Sequence, residues 1–249
     1  MTATPAADEH LRISEFTFPL DASSVPALCD NDIHLWHGQL KCDPEVVTAY
    51  RGVLSSDELE RAGRFHFPSN RDEFVASRGS LRTLLGHYLK RAPSELAFRY
   101  SQFGRPELAV SNDVESIQFN VSHSGTALLL GFARNRRIGV DVERIRTDFG
   151  TTEIAERFFS LAERVALREL PVEQRHAAFF RCWTRKEAFI KALGEGLSHP
   201  LDQFDVSLAP GIPAALLATR PDPDDAKRWS VWDVTAPDGY AGALAVEIA

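Results

Sequence analysis

Three segments in close succession, IQFNVSHSG, TALLLGFARN and RIGVDVERI, fill residues 117–145 and constrain the chain more than any other feature. The first two read as strands paired around a small-residue turn, and the third as a further strand. A chain so committed needs helices to cover its sheet, and helical patterns lie on both sides. Upstream, LSSDELERAG carries a Ser-x-x-Glu start at Ser55 or Ser56, and SRGSLRTLLGHYLK continues as a second helix. Downstream, TEIAERFFSLAERVALREL reads as one helical stretch, and RHAAFFRCWTRKEAFIKALGEGL as a longer helix stopped by Gly194 and Gly196.

The remaining strand candidates are DIHLWHGQL, AFRYSQFGRPELAV (broken by a Gly-Arg-Pro turn), FDVSL, RWSVWDV and YAGALAVEI. PGIPAALLATRPDPDDAKR is the most loop-like stretch. A faint echo links RFHFPSNRDEFVASRGSL in the first half with RFFSLAERVAL and the long helix in the second. The expected fold class is therefore α+β, with two similar lobes in pseudo-twofold arrangement, each pairing antiparallel strands with a long helix. The expected division is a flexible arm over 1–30, an N-terminal lobe over 31–128 and a C-terminal lobe over 129–249, with the site between the lobes.

A formal charge of −7 argues against general nucleic-acid binding, although it leaves room for a local basic pocket. Cys29, Cys42 and Cys182 are isolated, without zinc-ligand or redox spacing, which favours a reducing compartment. No signal peptide or membrane-length apolar run is visible, so the expected location is cytoplasmic.

Three motifs carry chemistry. In VDVE, Asp141 and Glu143 stand two apart on a strand and project from one face, where they repel unless a cation or several donors neutralise them. A hard divalent ion suits such a pair, and an acidic solvent-facing strand would show the same letters. The alternation of Ile138, Val140 and Val142 favours one buried face with the acids on the other. On the long helix, Trp183, Glu187 and Lys191 share a face at i, i+4, i+8; a helix-stabilising Glu–Lys pair is the plainer account. NVSHSG offers Ser122, His123 and Ser124 at a turn; neighbours on a strand point to opposite faces, which disfavours a nucleophile–base pair and leaves anion contact or a simple polar turn. Together the three would supply a metal and counter-charges for a polyphosphate, without a glycine-rich P-loop.

In order and wording, NVSHSG, GVDVE and FFRCWTRKEAFIKALGEGL resemble the signature of the 4′-phosphopantetheinyl transferases, most closely the larger monomeric surfactin-synthetase-activator type. The likeness extends to DIHLWHGQL, RAGRFHF, SRGSLRTLLGHYL, FGRPEL and LSHPLDQFDVSL, covering most of residues 32–207. It implies a cytoplasmic, monomeric enzyme that moves the phosphopantetheine of coenzyme A to a serine of an acyl or peptidyl carrier protein, releasing adenosine 3′,5′-bisphosphate. It further implies magnesium, with manganese possible, held by Asp141, Glu143 and Glu187; Glu187 as base; and His123 and Lys191 on phosphate with Ser122 beside them. Lys186 would be a further positive group near the site. Arg61, Arg78, Arg105 and Pro106 would line the nucleotide end of the coenzyme. The chain departs from relatives in having Arg105 where Lys often precedes the Pro, and Glu58 and Gly63 where a basic residue can stand. Two alternatives use the same residues: a magnesium-dependent pyrophosphohydrolase acting on coenzyme A or a nucleotide, and a non-catalytic relative that only binds carrier domains.

Overall fold

The computed structural model describes residues 11–18, 25–109, 117–148, 150–196 and 199–248. The first half runs β1 (Arg12–Thr17), β2 (Asp32–Gln39), α1 (Pro44–Arg51), α2 (Ser56–Gly63), α3 (Pro68–Leu89), β3 (Phe98–Tyr100), β4 (Pro106–Leu108), β5 (Ile117–Ser124) and β6 (Ala127–Arg134). The second runs β7 (Ile138–Arg144), α4 (Thr151–Phe158), α5 (Leu161–Glu169), α6 (Val172–Leu193), β8 (Phe204–Val206), β9 (Leu216–Thr219), β10 (Trp229–Asp233) and β11 (Tyr240–Glu247). One sheet has the order β1-β2-β6-β5 and a second the order β10-β11-β7. Every neighbouring pair in them is antiparallel except β1 with β2.

Apolar alternation stacks these sheets between two helices. On one face of the first sheet, Trp36, Leu128, Leu130 and Phe132 pack with Leu81, Leu84 and Leu85 of α3. On its other face, Ile33, Leu35, Leu129 and Ala133 meet Ile138, Val140, Val142, Leu244 and Val246 of the second sheet. The far side of that sheet, with Val231, Ala243 and Ala245, packs with Phe179, Ala188 and Phe189 of α6. The layer order is helix, sheet, sheet, helix. Gly139 lets α6 come close: a Cβ there would lie 2.0 Å from the Ala188 carbonyl oxygen.

The Arg-Phe entries of the expected echo do not fall at equivalent places, one preceding α3 and the other closing α4, but each half holds a buried ion pair of the same form. Glu58, in a capping box with Ser55 at the start of α2, takes a 2.5 Å bond from Arg82 of α3, which also donates to the carbonyls of Pro93 and Leu96. Glu163, in a capping box with Ser160 at the start of α5, lies 2.8 Å from Lys186 of α6, which also donates to the carbonyls of Leu201 and Phe204. In each half a capping carboxylate is buried and paired with a cation from the following 22-residue helix. Glu58 is therefore taken up by Arg82 and Arg78 of α3 rather than standing in for a basic contact.

Several expectations need correction. The 152–170 stretch is two helices, because Ser160 accepts the Glu163 amide and starts α5 afresh. The loop-like stretch holds β9, paired with β8. Within the expected arm, β1 lies parallel to β2, and most of the rest falls outside the described residues. A division at 128/129 would cut β6, which stays in the first sheet through Arg134.

Candidate active site

The two sheets meet along β5 and β7, which share no backbone ladder. Side chains of β5 satisfy the open edge of β7 instead. Asn120 Oδ1 accepts the Val140 amide at 2.9 Å, Ser122 Oγ the Val142 amide at 3.2 Å and Ser124 Oγ the Arg144 amide at 3.1 Å. The same hydroxyls reach the acids, with Ser122 donating to Asp141 Oδ1 at 2.8 Å and Ser124 to Glu143 Oε2 at 2.6 Å. Asn120 did not stand out in the sequence, and Ser124 stood out only as part of a polar turn or anion contact; their period-two spacing with Ser122 on a strand is the signal that marks them.

Opposite the acids lies α6. Lys191 Nζ sits 2.6 Å from Asp141 Oδ1 and 2.9 Å from Ser122 Oγ. Asp141 is only 2% exposed, and its Oδ2 is buried without a hydrogen-bond partner. Burial first, and then the neighbouring Asp141, pushes the Glu187 carboxyl up to about 7, with Lys191 opposing. Glu143 is also raised, mainly by burial and further by Asp141, while the Ser124 hydroxyl pulls the other way. Three carboxyls and one ammonium are thus electrostatically coupled across the seam.

His123, on the other face of β5 from Ser122, lines a cavity of about 400 Å³ together with Arg61, Phe74, Arg78 and Pro106. Burial and then Lys191 lower its pKa, which favours the uncharged ring, while Glu73 pulls the other way. Arg78 lies 3.3 Å from Glu58 and over the rings of Phe98 and Tyr100, and its Nη1 is buried without a partner. Arg61 lies over the Phe74 ring. A second cavity of about 310 Å³ holds Phe103, Arg105, Asn120, Glu187, Ile190 and Lys191. Both cavities include Pro106 and Val121, so they adjoin at β5, and the pair of them is termed the groove.

Not every expected site residue is free to meet a ligand in this groove. Lys186 is 0% exposed, and its ammonium is taken up by Glu163 and two carbonyls on the far side of α6. It leaves the helix away from Lys191 and holds α5 and the following chain in place. Arg105 lines the second cavity but gives both terminal nitrogens to carbonyls of Lys191, Phe119 and Ile138, while its Nε is buried without a partner. Ser122 is committed to the seam and the Asp141–Lys191 pair.

Among the described residues no three His, Cys, Asp or Glu side chains stand ready assembled as a metal site. The donor chemistry nevertheless fits a hard divalent cation, because the orphaned Asp141 Oδ2 lacks a positive partner beside two carboxyls of raised pKa. Lys191 supplies the only counter-charge on Asp141 Oδ1 among the described contacts.

Comparison with known proteins places this geometry in a family. Residues 137–245 match the model of the 4′-phosphopantetheinyl transferase superfamily, and residues 41–133 that of the 4′-phosphopantetheinyl transferase N-terminal region. The 4′-phosphopantetheinyl transferase HetI of Nostoc is 37% identical over 88% of this chain and 89% of its own. The transferase Sfp of Bacillus subtilis is 35% identical over 62% of this chain and 72% of its own. The solved holo-[acyl-carrier-protein] synthase of Thermotoga maritima aligns over 44% of this chain and 61% of its own, at 25% identity and a TM-score of 0.34. The chain belongs to the 4′-phosphopantetheinyl transferase superfamily, Sfp type, and is a 4′-phosphopantetheinyl transferase.

Proposed function

We propose that this enzyme takes 4′-phosphopantetheine from coenzyme A and attaches it to a serine of an apo acyl or peptidyl carrier protein in a magnesium-dependent reaction. The observation that carries this is the seam cluster, in which Lys191 and Asp141 meet at 2.6 Å beside Glu143 and Glu187, at one end of a groove lined by Arg61, Arg78 and His123. An anion of pyrophosphate size with a nucleotide attached suits that distribution of charge.

In this proposal the serine oxygen forms a bond to the β-phosphorus, and the bond from that phosphorus to the bridging oxygen breaks. Adenosine 3′,5′-bisphosphate leaves with the bonding electrons. Glu187 accepts the hydroxyl proton, a task suited to a carboxyl held at about 7. Lys191 neutralises charge on the departing phosphate, and Ser122 and Ser124 keep Asp141 and Glu143 oriented through the bonds already described. When bound, magnesium or manganese would neutralise pyrophosphate charge as a Lewis acid, held by Asp141, Glu143 and Glu187. His123 contacts phosphate, and Arg61, Arg78 and Pro106 face the nucleotide end.

A two-lobe organisation divided after β6, with the groove between the halves, belongs to this proposal, as does action as a monomer, since one chain supplies both walls of the groove. A cytoplasmic location rests on three free cysteines. Among the described residues no helix is long and apolar enough to cross a membrane.

Intact-mass measurement of an apo carrier protein incubated with the enzyme, coenzyme A and magnesium tests the proposal. The expected result is a phosphopantetheine mass gain that a chelator prevents. Consumption of coenzyme A with no gain on any of several unrelated carriers would replace transfer by hydrolysis. Gain undiminished by chelation would remove the metal.

A further inference from the structure

Arg105 stands where three separately placed parts of the site converge. Its Nη1 donates to the Lys191 carbonyl at 2.5 Å, and its Nη2 donates to the carbonyls of Phe119 at 3.0 Å and Ile138 at 3.3 Å. The Lys191 carbonyl is one of the last four of α6, which a helix leaves without an internal donor. A guanidinium there also complements the negative end of the helix dipole. Phe119 belongs to β5 and Ile138 to β7, the two strands that meet without a backbone ladder. One side chain thus satisfies an orphan carbonyl on the helix that carries Glu187 and Lys191, on the strand that carries Ser122 and on the strand that carries Asp141.

Among the described residues, the hydrogen bonds that Asn120, Ser122 and Ser124 make to the β7 backbone tie β5 to β7, and the bonds from Lys191 Nζ to Ser122 and Asp141 hold only the tip of that side chain, not the α6 backbone. The backbone of the last α6 turn is held to both strands by Arg105. Lys191 is a long, partly exposed side chain whose ammonium must keep hydrogen-bond distance to Asp141 and Ser122. That distance is set from below by where its own carbonyl is pinned. The guanidinium is planar with several donors, which a lysine ammonium on a flexible stem does not match.

We propose that Arg105 is a positioning residue: it fixes the last turn of α6 against β5 and β7, and so sets the Lys191–Asp141 separation, instead of binding the coenzyme. The catalytic half of this inference rests on the transfer reaction proposed above; the structural half does not.

The test uses Arg105→Met and Arg105→Lys in the full-length enzyme. In steady-state transfer with coenzyme A and an apo carrier, kcat falls by about 100-fold in Arg105→Met and about 10-fold in Arg105→Lys, while KM for coenzyme A stays within about twofold. A rise in KM with kcat unchanged would make Arg105 a coenzyme contact and overturn the proposal. Unchanged kcat with a lowered melting temperature would reduce it to a fold contact, which also overturns it. Hydrogen exchange without any substrate separates this from the reaction itself. In Arg105→Met the amides of Val140, Val142 and Gly194 exchange faster by about tenfold or more, and those of α3 do not change. Equal exchange along the seam in mutant and parent overturns the proposal whether or not coenzyme A proves to be the donor.

Discussion

Lys186 and Lys191 leave the same helix five positions apart, and each meets a carboxylate, Glu163 in one case and Asp141 in the other. Behind the helix, Lys186 is completely enclosed, with Glu163 and the carbonyls of Leu201 and Phe204 filling its donor sites and the Phe204 ring 4.0 Å away. In front, Lys191 keeps 27% of its side chain exposed, and its partner Asp141 retains an oxygen with nothing bound to it. The first pair is closed on itself and can only hold structure. The second has unused capacity, and unused capacity in a groove is what a substrate or ion can use. A motif that places two lysines close together therefore says little about which one does chemistry.

The sharpest way to break this comparison is Lys186→Met. It strands the buried Glu163 charge, and we expect it to lower stability by about 3–5 kcal/mol in denaturant unfolding. A loss under about 1 kcal/mol would mean the pocket behind α6 is not the closed system described. Lys191→Met should do the reverse, lowering transfer by about 10²–10³-fold. Its stability cost should stay near 1–2 kcal/mol, because Lys191 is partly exposed and water can reach the place its ammonium leaves, while Ser122 still donates to Asp141. If both substitutions cost only stability, the front pair has no reactive role.

Acidity gives a third, smaller contrast. The folded-state pKa of Glu187, at about 7, lies above its ordinary value of 4.5, so the folded protein binds the extra proton. Glu187 therefore favours folding fully below about pH 4.5, and that contribution is lost as pH rises through 7, by at most about 1.4 kcal/mol per pH unit. Thermal melts of the metal-free protein should show this loss, and Glu187→Gln should flatten it. A Glu187→Gln profile as steep as the parent's would assign the slope to other groups. The smallest effect belongs to Lys227 and Asp224, a fully solvated pair of the same chemical types. Lys227→Ala should leave both the unfolding midpoint and transfer unchanged, which calibrates the two helix-borne pairs.

Much of the architecture was legible before any coordinates, because it rests on local patterning. The alternation of Ile138, Val140 and Val142 correctly put Asp141 and Glu143 on one face. That face turned out to lie under α6, and the cause is visible only at Gly139, where the absent Cβ admits the helix backbone. The 152–170 stretch misled because Ser160 had to be read as a cap inside an otherwise continuous helical pattern. Of the two Ser-x-x-Glu signals, only the one in the first half stood out. Recognising both would have pointed to Glu58 and Glu163 as structural acids, and then to Arg82 and Lys186 as their partners.

What the sequence determined by itself is the set of elements and the chemical identity of the site: strands by period two, helices by period 3.6, and acids and bases by type and spacing. Which cations face the groove was decided by tertiary structure alone. A side chain's charge is a local property, but its partner lies tens of residues away, as with Lys191 and Ser122 or Arg105 and Lys191. Whether that partner satisfies the charge completely or leaves it available depends on how two sheets and a helix pack, and spacing along the chain does not encode that distance.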